Sequence, residues 1–312
     1  MTKLAPLPPT DLARRVGVND PEDPLGSFTT IGRASREIVL DLLPDDWSFD
    51  GKRVLDFGCG PGKVLLHFLD EANEAEFYGC DIHAPSIEWL QQQLSPPLHV
   101  FVNDESPPLP FDDGRLDLIW AFSVFTHIVD HWSAWLVELR RVLAPGGLLI
   151  ASFLGRASYE RITREPWSED DFGMNVLGYG QPWDDGGPNV FLAPWWIRAH
   201  WGRAFEIVQL RHSERGHGFV LLRKPAAGPS PVPEELERPE SEDPRELRSL
   251  QHQVRQLRGE VLDLRSALAA PRVQLPLALQ KRRRALRPLA ERVKRLARLG
   301  PARSRRSHAA DS

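Results

Sequence analysis

The residues whose types and spacing could do chemistry are gathered near position 60. Val54-Leu55-Asp56-Phe57-Gly58-Cys59-Gly60-Pro61-Gly62 is a short apolar run ending in alternating glycines. It reads as a buried strand, a tight turn and the start of a helix, the arrangement of a cofactor-binding turn. Glycine lets the backbone adopt dihedrals other residues resist and come close to a ligand. The spacing discriminates between cofactors. A dinucleotide turn needs glycine at position 63, which is Lys63, and a P-loop needs glycine at 57 and Ser or Thr at 64, which are Phe57 and Val64. A second acidic residue, Asp81 in Phe77-Tyr78-Gly79-Cys80-Asp81-Ile82, stands 23 positions after Gly58. That separation suits a carboxylate at the end of the next strand, accepting hydrogen bonds from ribose hydroxyls.

The elements that must position these groups follow from the apolar pattern. Strands are expected at 53–57, 76–80, 99–102, 116–121, 148–153, 205–210 and 219–223. Helices are expected at 32–43, 64–73, 86–94 and 132–143. Strands alternating with helices predict an α/β, Rossmann-like doubly wound, mostly parallel seven-stranded sheet. The last two strands are joined by residues 212–218 alone, too few for a parallel crossover, so the last strand is expected to be antiparallel.

Asp56-x-Gly58-x-Gly60-x-Gly62 resembles the first motif of the class I S-adenosylmethionine-dependent methyltransferases. The resemblance continues through Pro108-Leu109-Pro110-Phe111, Arg115-Leu116-Asp117-Leu118-Ile119, Ser123-Val124-Phe125-Thr126-His127 and Leu143-Ala144-Pro145-Gly146-Gly147-Leu148. One departure is Leu116, where the family usually has Phe. The pattern is similar to that of methyltransferases of small-molecule and glycan type. The resemblance implies that Asp56, Gly58, Cys59, Gly60 and Gly62 hold the amino-acid end of S-adenosyl-L-methionine, with Asp81 and Ile82 at the ribose. It implies Asn103 and Asp104 at the adenine, and Phe122 and Ser123 as further cofactor contacts after the fourth strand. Asp112, Asp113 and Asp117 read as turn and cap residues. No metal site is expected, since two cysteines make no ligand cluster.

The acceptor is less legible. Methyl transfer is a displacement at a sulfonium, dominated by positioning, with a base where the acceptor must lose a proton. His127, just past the fourth strand, is the candidate general base; the alternative is a structural or cofactor-contacting histidine. His131 is a weaker candidate. The fourth strand runs into Ala121-Phe122-Ser123-Val124, which lacks the Asn/Asp-Pro-Pro-aromatic signature of enzymes that methylate nucleic-acid amino groups, and no Pro-Cys nucleophile is present. A small-molecule or glycan acceptor, methylated on oxygen, is expected, and nucleic acid is disfavoured. The segment 155–194, with Tyr159, Trp167, Tyr179, Trp183 and Asp184-Asp185-Gly186-Gly187, followed by Trp195, Trp196 and Trp201, reads either as an aromatic acceptor lid or as the packing of a small subdomain.

The rest of the chain divides by composition. Residues 1–30 read as an irregular N-terminal arm, 31–224 as the catalytic domain, 225–244 as a Pro-rich acidic linker, 245–270 as a coiled coil and 271–312 as a basic, partly disordered tail. Leu247, Leu250, Val254, Leu257, Val261, Leu264 and Leu268 form a heptad seam that predicts a parallel homodimer, a docked single helix being the alternative. The tail holds 13 Lys and Arg against 2 Asp and Glu, a net charge of +11 in a chain whose total is −4. It contains no aromatic residue, and Leu289, Val293, Leu296 and Leu299 lie among its cations. An anionic membrane surface is its expected partner. With no signal-like or membrane-spanning run, the expected location is cytoplasmic, peripheral to the inner membrane face. The rival functional class is a non-catalytic cofactor-binding or assembly module acting through the coiled coil.

Overall fold

The computed structural model describes residues 6–17, 19–183, 186–212 and 216–269. The basic tail, with its charge run and aliphatic stripe, lies outside them.

The chain begins with α1 (Thr10–Arg15) and α2 (Pro24–Leu42). The arm expected to be irregular is therefore largely helical. The helix expected over 32–43 begins eight residues earlier. Gly26, Ser27, Thr29 and Thr30 are weak helix formers, but Asp23 caps the first turn by accepting from the Gly26 N–H at 2.9 Å. Pro24 at the first helical position and buried Phe28 complete the start. Pro44 ends the helix by forcing Leu43 into an extended conformation.

The sheet is built from β1 (Arg53–Phe57), β2 (Glu76–Asp81), β3 (His99–Val102), β4 (Leu116–Ala121) and β5 (Leu143–Phe153). Between them lie α3 (Ala84–Leu94) and α4 (Trp132–Val142). The helix expected over 64–73 is two 3-10 turns, Leu65–Phe68 and Glu71–Asn73. After β5 come α5 (Arg156–Thr163), the hairpin β6 (Met174–Leu177) and β7 (Asn189–Leu192), and α6 (Pro194–His200). Then follow β8 (Glu206–Arg211) and β9 (Gly218–Arg223). The seven-stranded sheet has the order β3-β2-β1-β4-β5-β9-β8. Its ladders are parallel except at β9, which runs antiparallel to both β5 and β8. The doubly wound sheet with an antiparallel last strand is thus as the apolar pattern predicts. The hairpin β6–β7 was hidden in the sequence because each strand has four residues and glycines and prolines surround both.

Alternate residues of the central strands face opposite cores. Leu55, Ile119, Leu149 and Ala151 join one, with α4 and the tryptophans of the insert. Val54, Leu118, Trp120 and Ile150 join the other, with α2, α3 and Phe68. Burial on both faces is what a parallel sheet requires. The reversal of strand order falls between β1 and β4, so the crevice where ligands bind in such sheets opens at the carboxyl ends of those two strands.

Beyond the sheet lie α7 (Pro233–Glu237) and α8 (Pro244–Ala269). The amino-terminal part of α8 is docked on the catalytic domain through polar groups. Glu246 pairs with buried His200 at 2.7 Å, the Ser249 hydroxyl accepts from the Gly173 N–H at 2.9 Å, and Gln256 donates to the Val176 carbonyl at 2.7 Å. Of the heptad seam, Leu247 is 62% exposed, whereas Leu257 lines a small cavity with Val176 and Tyr179 of the catalytic domain.

Candidate functional site

The turn after β1 is held in left-handed backbone, with φ of 78° at Gly58, 53° at Gly60 and 83° at Gly62. A side chain at any of them would also collide with the protein itself. A Cβ on Gly58 would lie 2.4 Å from a Val124 methyl, one on Gly60 2.6 Å from Val16, and one on Gly62 2.9 Å from Leu90. The glycines are therefore required first by the fold, and only then by a ligand.

The turn offers no free backbone donor. The N–H groups of Gly58 and Cys59 both go to the Cys80 carbonyl, at 2.8 and 2.9 Å, and that of Gly62 goes to the Cys59 carbonyl at 2.9 Å. The Gly60 N–H donates to Asp81 Oδ2 at 2.7 Å, and Pro61 has none. A phosphate-binding turn works by aiming N–H groups outward. From Gly58 to Gly62 this turn aims them inward.

What the turn does offer is acidic. Asp56 is buried, and its Oδ2 has no hydrogen-bond partner among the described residues. Burial pushes its carboxyl up to about 7; the Trp120 side chain opposes the rise, the nearby charge of Asp81 adds to it, and Lys63 and the Leu65 backbone partly offset it. Lys63 is itself lowered to about 8 by burial, and its ammonium donates to the Val16 carbonyl at 2.5 Å. A buried carboxylate with a raised pKa and one oxygen without a hydrogen-bond partner among the described residues calls for a cation or a donor beside it.

Asp81 ends β2 and is partly exposed. Its Oδ1 accepts from the His83 N–H at 2.8 Å while Oδ2 takes the Gly60 N–H, so the carboxylate is fixed in orientation with further lone pairs free. Ile82 follows it, partly buried. Asn103, past the end of β3, donates to the Asp104 carbonyl at 2.8 Å, and its buried Oδ1 has no partner among the described residues. Asp104 is exposed. Cys59 and Cys80 are buried thiols, both held well above the ordinary range by burial. They are packing groups, and Cys59 touches the turn through its contact with the Gly60 carbonyl at 3.4 Å.

After β4 the backbone turns sharply. Ser123 has φ of 59° and donates its N–H to the Ser152 hydroxyl at 2.7 Å. A non-glycine residue in that region is strained and needs surroundings that enforce it. Phe122 packs edge-on against Phe219, 5.2 Å between centroids. The strained turn carries the chain to His127. The His127 Nδ1 lies 2.7 Å from the Pro188 carbonyl. A carbonyl can only accept, so Nδ1 carries the proton and Nε2 of the neutral ring has the free lone pair. Burial holds this histidine below its ordinary pKa, with the Pro188 contact opposing. Trp183 stands edge-on to its ring at 5.3 Å. The hairpin loop before β7 thus orients the histidine, a contact of 61 positions' separation that no local pattern shows. His131 is exposed at the start of α4.

Most of the aromatic insert turns out to be packing. Trp195 is buried and donates to the Phe172 carbonyl at 2.9 Å, Trp196 stacks on His200 at 4.3 Å, and Trp201 lies against Phe125 at 4.8 Å. Tyr159 and Trp167 cluster with Phe172. Trp183, 37% exposed beside His127, is the aromatic that the insert keeps at the mouth. The Asp184-Asp185 pair lies outside the described residues. The remaining acidic candidates are structural, as their turn chemistry implies: Asp117 accepts from the Arg53 N–H at 2.9 Å, and Asp113 pairs with Arg141 at 2.7 Å.

Residues 54–147 match the family described as a methyltransferase domain. Among curated proteins, a phthiotriol/phenolphthiotriol dimycocerosates methyltransferase of Mycobacterium ulcerans is 33% identical over 100 residues, covering 32% of this chain and 36% of the relative. A demethylmenaquinone methyltransferase of Thermus thermophilus is 32% identical over 120 residues, covering 38% of this chain and 51% of the relative. The chain thus spans between about a third and a half of the length of these relatives. Among solved structures, a magnesium protoporphyrin IX methyltransferase of Synechocystis PCC 6803 with bound S-adenosylhomocysteine is 19% identical, with a TM-score of 0.48 over 69% of this chain and 93% of that one.

Proposed function

We propose, from the premise that the segment 54–147 is a class I S-adenosylmethionine-dependent methyltransferase domain, that this chain methylates a hydroxyl group of a small-molecule or glycan acceptor. The observation that carries the reading is the inward-turned glycine loop beside a buried carboxylate with one oxygen open among the described residues. Such a site suits a ligand end that carries an ammonium.

The residues present fit that cofactor. Asp56 would balance the ammonium of its amino-acid end, with Gly58, Cys59, Gly60 and Gly62 forming the wall beside it. Asp81, pre-oriented by two backbone donors, would accept from the ribose hydroxyls, with Ile82 beside the sugar. Asn103 and Asp104 would meet the adenine, and Phe122 and Ser123 would separate the cofactor from the acceptor. When bound, the cofactor supplies a methyl group on a sulfonium. The chain's own contribution is to align the acceptor and to take its proton. His127 Nε2 would take the proton of the acceptor O–H as that oxygen takes up the methyl group. The tautomer fixed by Pro188 keeps the lone pair directed away from the backbone.

The seam of α8 supports a parallel pairing with a second copy. The helix is anchored to its own domain by Glu246, Ser249 and Gln256, which leaves Leu247, Leu250 and Val254 on a different strip. The basic residues 271–312 support docking on an anionic lipid surface, and their lack of aromatics disfavours nucleic acid. No helix among the described residues is long and apolar enough to cross a membrane.

The test is incubation of the full chain with S-adenosylmethionine labelled in its methyl group and a panel of phenols, catechols and glycosides. Label recovered in an ether methyl group is the expected result. Label on nitrogen or carbon would overturn the oxygen assignment, and a chain that neither binds the cofactor nor transfers label would overturn the enzyme.

A further inference from the structure

Asp56 and Asp81 bring two carboxylates to the proposed seat of an α-amino acid. Asp56 suits the ammonium of the ligand. The ligand's own carboxylate, borne on the same carbon, would meet like charge there, and like charges at short range repel. The backbone of the turn cannot relieve this. The N–H groups of Gly58, Cys59, Gly60 and Gly62 are committed inside the protein, and Pro61 has none. A compensating cation has to come from a side chain.

Lys63 is the next residue along the chain. Its backbone is wedged against α2, since a Cβ on Gly32 would lie 2.0 Å from the Lys63 carbonyl oxygen. Its side chain reaches the end of α1, where the ammonium donates to the Val16 carbonyl at 2.5 Å. Val16 in turn covers the glycine turn: a Cβ on Gly60 would lie 2.6 Å from a Val16 methyl and 4.0 Å from Asp81 Oδ2. These contacts set the ammonium beside Val16, Val16 on Gly60, and Gly60 beside Asp81. A lysine ammonium carries three donors. Among the described residues this one has a single neutral acceptor and no ion pair. Burial lowers it only to about 8, so it is cationic at neutral pH. A partly buried cation with donors to spare favours an anion.

We propose that Lys63 binds the carboxylate of the cofactor's amino-acid end while Asp56 takes its ammonium, so that the turn sets one fixed charge of each sign against a zwitterion. The inference rests on the methyltransferase reading and deepens it. It assigns a role to a residue that, in the sequence, only breaks a dinucleotide motif. It also makes α1 part of the site, because the Val16 carbonyl aims the ammonium.

The experiment is calorimetric titration of the full chain with two probes. One is S-adenosylhomocysteine; the other is its decarboxylated analogue, which keeps the nucleoside, the thioether and the ammonium. The variants are Lys63→Met, which removes charge and donors, and Lys63→Gln, which keeps a donor for the Val16 carbonyl. Both are expected to bind S-adenosylhomocysteine about tenfold or more weakly, the loss of a hydrogen bond between charged groups. Both are expected to bind the decarboxylated analogue as tightly as the parent or more tightly, since a charge of the same sign as its ammonium has gone. Equal losses for the two probes would show that Lys63 only shapes the turn. Unchanged affinity for S-adenosylhomocysteine would place its carboxylate elsewhere. Either result would overturn the proposal and leave the methyltransferase reading standing. A parent chain that binds neither probe would overturn that reading and this one together.

Discussion

The proposed cofactor side and the proposed acceptor side of this molecule are built differently. Asp56, the three glycines and Asp81 lie within 26 consecutive residues, on one strand-turn-strand unit whose parts hydrogen-bond each other. The proposed acceptor side draws on His127 after β4 and on Pro188 and Trp183 from the insert, segments separated by tens of residues. A local unit leaves a spaced pattern in the sequence, whereas an assembled one leaves isolated residues whose meaning appears only when the sheet brings them together. The same contrast predicts different behaviour: cofactor-side changes should act on binding and stability, and acceptor-side changes on turnover.

The largest expected effect is on the acceptor side. His127→Ala should lower turnover at saturating cofactor by ~10²–10⁴-fold, the usual loss of a general base. Its affinity for S-adenosylhomocysteine should stay within a few-fold. Steady-state rates on an acceptor from the methylation panel, with parallel calorimetry, measure both. A variant that loses cofactor affinity and keeps its maximal rate would move His127 to the cofactor side and break the division.

Next is the pH dependence of stability set by Asp56. Its folded carboxyl titrates near 7 instead of 3.8. The folded chain therefore holds a proton that the unfolded chain has released, and the stability this confers is present at pH 4 and lost as pH rises to about 7. One pKa unit is about 1.4 kcal/mol, so the swing is on the order of 4 kcal/mol for the ligand-free chain. Asp56→Asn should flatten the fall in Tm between pH 5 and 8, and so should saturating S-adenosylmethionine. An unchanged slope in the variant would show that the carboxyl is already balanced.

A smaller effect separates the fold's need for glycine from the ligand's. Gly58→Ala should cost about 1–2 kcal/mol for left-handed backbone alone, plus the collision with Val124. Pairing it with Val124→Ala should recover the collision and leave the backbone cost, as denaturant unfolding of the double-mutant cycle would show. No recovery would mean that Val124 yields freely.

The smallest concerns α8. Leu250→Glu with Val254→Glu should abolish self-association in light scattering while leaving the docking contacts of Glu246 and Ser249, and hence Tm, nearly unchanged. A truncation at residue 225 is a poorer test, since it also strips buried His200 of its partner. A parent chain that is monomeric at high micromolar concentration would remove the dimer.

The legible parts of the molecule were those with local causes. The strand order and the antiparallel last strand follow from the apolar runs and from the short 212–218 connection. The glycine turn after β1 follows from its spacing. The start of α2 was missed because Asp23 and Phe28 outweigh a run of poor helix formers, and β6–β7 because four-residue strands leave too little alternation to detect. The helical repeat of α8 was visible in the sequence, but not the polar strip that anchors the helix. That strip depends on His200, Gly173 and Val176, none of which has any sequence relation to α8.

The most direct test is calorimetric titration of the full chain and its Asp81→Ala variant with S-adenosylhomocysteine. One cofactor per chain is predicted, with affinity falling about tenfold or more in the variant, since at least two hydrogen bonds of order 1 kcal/mol are lost along with the anchor of the Gly60 N–H. No binding by the parent, or equal affinity in the two proteins, would contradict the placement of the cofactor on the glycine turn and Asp81.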